Sequence, residues 1–113
     1  MGIFLRQKAA GEPLTIVGDG EQRRDFTYVG DIVNANILAA TKEVNSTVFG
    51  QVYNIGTGEN YSINEIVKFY NHEYEYIPPR LGEVLLSKAN NVKFKSTFGW
   101  EPTMKLEDWI QNA

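Results

Sequence analysis

The chain alternates short blocks of periodic apolar residues with turns that are rich in glycine and proline. Residues 3–10 predict a helix that ends at Gly11, since glycine commonly closes a helix. Leu14–Val17 is an apolar, partly β-branched run that predicts a strand. The turn Gly18-Asp19-Gly20 follows, and residues 24–29 predict a second strand. Because Asp-Gly supplies the positive backbone angles of tight turns, the two strands are predicted to pair as a β-hairpin.

The middle of the chain predicts one long helix and one further strand. Apolar residues recur every three or four positions between Asp31 and Lys42, which is the period of a helix. Asp31 is predicted to cap that helix, because its carboxylate can accept a free N–H of the first turn. The helix is rich in alanine and aliphatic residues, so we expect it to be buried against a large partner. Residues 52–55 predict a strand that closes at Gly56-Thr57-Gly58.

The C-terminal half carries clear helix-start signals. Ser62 and Glu65 have the spacing of a capping box, which predicts a helix from there to about residue 70. Tyr74–Ile77 predicts a short strand that ends at two prolines. Asn90 is predicted to cap a helix through Phe98, and residues 105–110 predict a last amphipathic turn or two. The fold class is therefore α/β (mixed α+β).

Composition narrows the class of protein. A chain of 113 residues fits a single domain, residues 1–113, and is too short for a cofactor domain plus a substrate domain. The net charge of −3 and the pI of about 5.1 argue against a nucleic-acid partner. With no cysteine, a disulfide framework and thiolate sites are excluded. No apolar run approaches the ~20 residues of a membrane span, so we expect no membrane partner and a cytoplasmic location.

Familiar catalytic patterns are missing. His72, the only histidine, lies in a polar stretch without a partner at metal-ligand spacing, so a surface role is favoured. None of the four serines lies in a Gly-x-Ser-x-Gly elbow. Gly56-Thr57-Gly58 is followed by Tyr61 where a dinucleotide-binding fingerprint has glycine, so a plain loop is favoured. The sequence therefore predicts no catalytic residue and no metal site.

The arginines are more suggestive. Arg23 and Arg24 begin the predicted second strand, where neighbouring side chains point to opposite faces. Arg80 lies at a stiff Pro-Pro-Arg-Leu-Gly corner. A guanidinium presents a rigid fork of donors that suits phosphate oxygens, so two such groups could clamp a diphosphate. Surface salt bridges with the 14 acidic residues are the simpler alternative, and composition alone favours them.

Four segments, in order, resemble the extended short-chain dehydrogenase/reductase family, specifically the NAD-dependent epimerase/dehydratases (UDP-glucose 4-epimerase-like nucleotide-sugar enzymes). The first is Gly-Asp-Gly-Glu-Gln-Arg-Arg-Asp-Phe-Thr-Tyr-Val at residues 18–29. The second is Tyr-Asn-Ile-Gly-Thr-Gly at 53–58 with the helix start at 61–67. Pro-Pro-Arg-Leu-Gly-Glu at 78–83 resembles the family's substrate loop, with leucine in place of a usual proline. Phe-Gly-Trp-Glu-Pro at 98–102 resembles its C-terminal tail.

The resemblance implies the C-terminal, substrate-binding part of that fold, without its N-terminal Rossmann cofactor half. This part would grip a nucleotide sugar, such as a UDP- or dTDP-hexose. By the resemblance, Arg24 and Arg80 would hold the diphosphate, and Asn54 would donate to a phosphate or sugar oxygen. Glu83 would approach ribose or sugar hydroxyls.

Two further roles follow from the same resemblance. Thr15 to Val17 would lie along the nucleobase, partly through backbone groups. Asp25 would orient Arg24 or anchor the backbone, because a carboxylate beside a diphosphate is repelled. Apart from the resemblance, Trp100 and Pro102 could form a stacking platform, but packing in the core is favoured because buried aromatic residues dominate small cores.

The chain departs from the family by what it lacks. It contains no glycine-rich cofactor fingerprint, and none of its six tyrosines begins a Tyr-x-x-x-Lys pair. NAD is implied for the full-length family, while these residues supply no cofactor site and no hydride acceptor. We therefore expect a substrate-binding portion that is inactive by itself, whether as a fragment or as a natural short protein.

A non-catalytic nucleotide-sugar-binding or assembly module, acting alone or with a separate cofactor half, is the alternative. The helix after Asp31 and the strand at 52–55 would expose apolar surface and a strand edge in isolation. We accordingly expect a homo-oligomer, or association with a separate cofactor-binding half.

Overall fold

The computed structural model describes residues 1–82 and 85–113. Over these ranges helices and strands interleave, which confirms the predicted α/β (mixed α+β) class. The elements are α1 (Gly2–Ala10), β1 (Leu14–Val17), β2 (Arg23–Arg24), α2 (Val29–Thr41), a 3₁₀ turn (Ser46–Val48), β3 (Tyr61–Ser62), α3 (Ile63–Tyr70), β4 (Tyr74–Ile77), α4 (Val92–Phe98) and α5 (Leu106–Asn112).

The strands of the described ranges form two separate two-stranded sheets, and the predicted hairpin is wrong. β1 pairs in parallel with β4, which places Val17 beside Ile77. β2 is only two residues long and pairs antiparallel with β3, with Arg23 opposite Ser62. After β1 the Gln22 Nε2 donates to the Val17 carbonyl oxygen at 3.1 Å. A side chain thus closes this turn, and β1 finds its strand partner far along the sequence.

Helix ends that depend on local signals are confirmed. α1 ends at Gly11 and α4 at Gly99, both in the left-handed region with φ of 72° and 68°. α3 opens with the predicted capping box: Ser62 Oγ accepts from the Glu65 N–H at 3.1 Å, and the Glu65 carboxylate accepts from the Ser62 N–H at 3.0 Å. These ends need only residues a few positions apart.

The predicted capping role of Asp31 is wrong. α2 begins two residues earlier, at Val29, and Asp31 lies inside its first turn, 1% exposed. Its carboxylate accepts from the Thr103 N–H at 3.0 Å, the Thr103 hydroxyl at 2.6 Å and the Met104 N–H at 3.2 Å. The carboxylate therefore fastens α2 to the segment before α5, because those donors would otherwise be left without a partner in a part-buried site.

Two further boundaries differ from the prediction. Residues 52–55 form no strand, and no strand among the described residues pairs with them. α4 begins at Val92 after Asn91, one residue later than predicted. Asn90 still contributes to this helix start, since its Oδ1 accepts from the Val92 N–H at 3.3 Å.

The buried apolar residues of the described chain form two clusters. The first joins α1, β1, α3 and α5 through Phe4, Leu14, Ile16, Ile66, Val67, Tyr70, Leu106 and Ile110. The second lies between α2 and α4 and contains Ala35, Phe94, Phe98 and Trp100. Trp100 is 2% exposed and its Nε1 donates to the Asp31 carbonyl at 2.9 Å. Its predicted packing in the core is confirmed.

The molecule is flat. Its principal extents are 52 × 30 × 16 Å and its radius of gyration is 17.0 Å, against about 13 Å for a compact domain of this length. One consequence is that α2 leaves apolar side chains uncovered: Val29, Val33 and Ile37 are 70%, 50% and 53% exposed. In the described part of the chain no helix combines the length and the apolar character that a bilayer crossing needs.

Candidate functional site

Asp25, directly after β2, organises the site. Its Oδ1 accepts from the Thr57 N–H at 3.0 Å, the Thr57 hydroxyl at 2.6 Å and the Thr27 hydroxyl at 3.2 Å. Its Oδ2 accepts from the N–H groups of Gly58 at 3.0 Å and Ala89 at 3.1 Å. One carboxylate thus holds together three segments that are far apart in sequence. Of the two roles expected for Asp25, the structure shows the backbone anchor.

The surroundings of Asp25 favour its charged form. Burial raises the pKa of the carboxyl, but the hydrogen bonds from the Thr57 side chain and from the backbone of Ala89, Thr57 and Gly58 outweigh burial. The net result is a pKa below the ordinary value of 3.8. The anchor is therefore an anion whose lone pairs are already occupied by the protein.

A polar cleft opens beside this anchor. Its volume is about 360 Å³, near the lower end of the ~300–1,000 Å³ that small-molecule sites span. We call it the Asn54–Lys88 cleft; it is lined by Asp25, Thr27, Asn54, Ile55, Gly56, Ser87, Lys88, Ala89 and Asn90. Asn54, predicted as a ligand donor, lies in it. The structure therefore places one expected site residue in a cavity of suitable size.

The wall of the cleft is tightly built at Gly56. A Cβ at this position would lie 2.4 Å from the Ala89 Cβ and 3.0 Å from the Asp25 Oδ2, so only glycine fits. The Gly56 carbonyl accepts from the Asn91 Nδ2 at 2.7 Å, a buried hydrogen bond. Loop 56–58 and segment 89–91 are therefore held against each other.

Loop 56–58 does not fit a dinucleotide pyrophosphate. The N–H groups of Thr57 and Gly58 both donate to Asp25, and those are the groups with which a glycine-rich loop would cradle phosphate. A negative carboxylate also occupies the position where the anion would sit. The backbone N–H groups of this loop therefore serve to bind Asp25.

The two adjacent arginines have different surroundings. Arg23 is structural: its guanidinium donates to the Asn60 Oδ1 at 3.0 Å and lies 3.4 Å from the Glu65 carboxylate. Arg24 is half-buried and its Nη1 donates to the Arg23 carbonyl at 2.8 Å. The two neighbouring arginine side chains thus contact different parts of the protein.

Arg80 lies on an exposed corner, and its side chain makes no hydrogen bond or ion pair with the residues the structure describes. The segment after that corner returns to β2: the Arg23 N–H donates to the Leu85 carbonyl at 2.7 Å, and the Ser87 N–H donates to the Arg23 carbonyl at 3.0 Å. The strand carrying Arg24 and the segment after Arg80 are therefore neighbours. Glu83 lies outside the described residues.

The groups proposed for the nucleobase already have partners inside the chain. The Thr15 hydroxyl accepts from the Gln7 Nε2 at 3.0 Å, and the Thr15 N–H donates to the Gln7 Oε1 at 3.1 Å. The Val17 carbonyl accepts from Gln22. A base beside β1 would have to share or displace these hydrogen bonds.

Sequence reasoning missed Lys88. The residue lines the cleft together with Asn54, which lies 34 positions earlier in the chain. In the sequence, Lys88 stands out only as a positive charge shortly before the helix predicted to begin at Asn90. Nothing in the spacing of residues indicates that this charge lies near Asn54. Among the described residues, no group of histidine, cysteine or acidic side chains could hold a metal ion.

Comparison with known proteins agrees with these features. The model of the NAD dependent epimerase/dehydratase family matches residues 1–56. The UDP-glucose 4-epimerase of Mycolicibacterium smegmatis is 32% identical over 116 residues, which are 97% of this chain and 36% of that protein. The chain thus spans about a third of the length of the relatives it matches.

Solved structures show the same likeness. The UDP-glucose 4-epimerase of Thermotoga maritima with UDP-glucose superposes with a TM-score of 0.84 at 38% identity, over 96% of this chain and 36% of that one. The UDP-glucuronic acid 4-epimerase of Bacillus cereus with UDP-glucuronic acid and NAD gives 0.83 at 29% identity, over the same shares. The described fold is accordingly part of a short-chain dehydrogenase/reductase-like fold, and the chain is similar along nearly its whole length to members of the NAD-dependent epimerase/dehydratase family.

Proposed function

We propose that residues 1–113 are the substrate-binding portion of an NAD-dependent nucleotide-sugar epimerase or dehydratase. The observation that carries the proposal is the Asn54–Lys88 cleft, in which an expected ligand donor lies beside the carboxylate anchor of the most distinctive family segment. Relatives with this fold are named as enzymes of UDP-sugars. A UDP- or dTDP-sugar is the ligand class that these features fit.

Arg24 and Arg80 would bind the diphosphate, and Asn54 would donate to a phosphate or sugar oxygen. Arg80 is suited to this role because it is exposed and makes no ion pair with the described residues. Arg24 is held by its hydrogen bond to the Arg23 carbonyl, which limits the conformations of its guanidinium. NAD would supply hydride transfer in the family's chemistry, and no residue of this sequence is assigned to that step.

Calorimetric titration with UDP-glucose and dTDP-glucose tests the proposal. We expect measurable binding that is lost in Arg24→Ala and in Arg80→Ala. Arg6→Ala is the matched control, since Arg6 is exposed on α1 and its side chain makes no hydrogen bond or ion pair with the described residues. Equal affinity in all three variants, or no binding by the wild-type chain, would overturn the proposal.

The alternative function is a non-catalytic nucleotide-sugar-binding or assembly module, alone or with a separate cofactor half. The exposed apolar face of α2 favours assembly, because contiguous apolar patches are rarely left open to water. On this alternative a second copy, or a separate cofactor half, covers Val29, Val33 and Ile37. Light scattering tests self-association: a monodisperse monomer at high concentration contradicts a homo-oligomer.

A further inference from the structure

Lys88 differs from the other lysines near the site. Lys93 donates to the Val52 carbonyl at 3.0 Å and lies over the Tyr53 ring, and Lys95 lies 3.7 Å from the Glu101 carboxylate. The Lys88 side chain makes no hydrogen bond or ion pair with the described residues. A cation that lines a cleft and has no partner among the described residues is a candidate for a ligand contact.

The backbone holds Lys88 in place. The Ser87 N–H donates to the Arg23 carbonyl at 3.0 Å, and the Ala89 N–H donates to the Asp25 Oδ2 at 3.1 Å. Both neighbours of Lys88 are therefore anchored to the β2 segment. The side chain can move, but its point of attachment to the cleft wall is fixed.

The charge balance of the cleft favours an anion. Among the described residues that line it, Asp25 is the only carboxylate, and five donors from the protein already surround it. The Asn54 side chain makes no hydrogen bond with the described residues, so its amide N–H groups can still donate. An ammonium and an amide donor in one small cleft suit a ligand oxygen that carries negative charge.

We propose that Lys88 and Asn54 form a subsite for an anionic oxygen group of the nucleotide sugar, beyond the arginine pair. The shared chemistry is a carboxylate or a phosphate. A carboxylate would come from a hexuronic acid sugar, and a phosphate from the diphosphate itself. The subsite rests on the proposed function, and it makes Lys88 a residue that contributes to substrate choice.

The test compares the affinities of UDP-glucuronate, UDP-glucose and UDP for the wild-type chain and for Lys88→Gln. Lys68→Gln is the control, because it removes the same charge and Lys68 is exposed on α3. The Lys68 side chain makes no hydrogen bond or ion pair with the described residues. We expect Lys88→Gln to weaken binding about fivefold, as for a partly solvated ion pair, and Lys68→Gln to have no effect. Asn54→Ala should weaken the same ligands.

The pattern of losses identifies the source of the anion. A loss confined to UDP-glucuronate assigns the subsite to the sugar carboxylate, whereas an equal loss for all three ligands assigns it to the diphosphate. If Lys88→Gln binds every ligand with the same affinity as Lys68→Gln, the subsite is refuted. The proposed binding of the diphosphate by Arg24 and Arg80 is not affected by that result.

If the wild-type chain binds no UDP-sugar, the proposed function fails and the subsite is tested separately. Glucuronate and inorganic pyrophosphate are then titrated while the amide signals of Asn54 and Ala89 are followed by NMR. Shifts that disappear in Lys88→Gln support the subsite, and the absence of shifts refutes it.

Discussion

Asp25→Asn probes the anchor with an almost unchanged shape. The carboxylate accepts five hydrogen bonds, three of them from backbone N–H groups. An asparagine has a single carbonyl oxygen. If that oxygen takes the Oδ1 position, the NH₂ group of the asparagine faces the N–H groups of Gly58 and Ala89. If it takes the Oδ2 position, the NH₂ faces the Thr57 N–H. At least one backbone donor therefore loses its acceptor in either orientation.

The magnitude follows from these hydrogen bonds. An orphaned N–H costs about 1–3 kcal/mol, and the remaining hydrogen bonds weaken because their acceptor has lost its charge. We expect Asp25→Asn to lower the free energy of unfolding by about 2–4 kcal/mol, which is a large share of the ~5–15 kcal/mol of a typical domain. The cleft should loosen as well, because segments 57–58 and 89 are no longer drawn together.

Urea unfolding followed by circular dichroism measures this change. Asp108→Asn is the matched control; Asp108 is exposed in the first turn of α5, where losing its charge costs at most ~1 kcal/mol. A loss below 1 kcal/mol for Asp25→Asn, or equal losses for the two variants, would show that the five hydrogen bonds do not stabilise the fold as reasoned.

Two further predictions concern pH and helix capping. The folded-state pKa of Asp25 is lowered below 3.8, so its contribution to stability is full above about pH 4 and is lost as pH falls through the folded pKa. The difference in urea midpoint between wild type and Asp25→Asn should therefore shrink at pH 2–3, and a constant difference would contradict the lowered pKa. Ser62→Ala removes the oxygen that accepts from the Glu65 N–H, and should cost about 1 kcal/mol by the same urea assay. Ser96→Ala, on an exposed position of α4, provides the comparison, and equal costs would argue against the capping box.

Local signals allowed several elements to be predicted from the sequence. The capping box of Ser62 and Glu65, and the glycines that end α1 and α4, depend on residues within a few positions. β1 and β4 were also placed correctly, because their composition already favours extended backbone. The four segments that carry the family resemblance are also short stretches of neighbouring residues.

The errors came from long-range partners. Asp31 matches a helix cap in sequence, but its carboxylate binds donors more than 70 residues away. Residues 52–55 have the composition of a strand, yet a strand also requires a partner, and none lies beside them in the described chain. Lys88 and Asn54 share a cleft only because Asp25 draws their segments together. No local sequence pattern indicates that these two residues lie close together.

The division of the interior into two apolar clusters has a consequence for cooperativity. The clusters share no buried residue, and the links named above between their segments are polar: Asp31 to Thr103 and Met104, and Asp25 to the loops near α4. The two hydrophobic cores therefore depend on these polar links to unfold as one unit. Because the folded-state pKa of Asp25 is lowered, its link is intact at neutral pH and weakens as the pH falls through that pKa. We expect a single unfolding transition at neutral pH, and we expect acid to separate the melting of the two clusters.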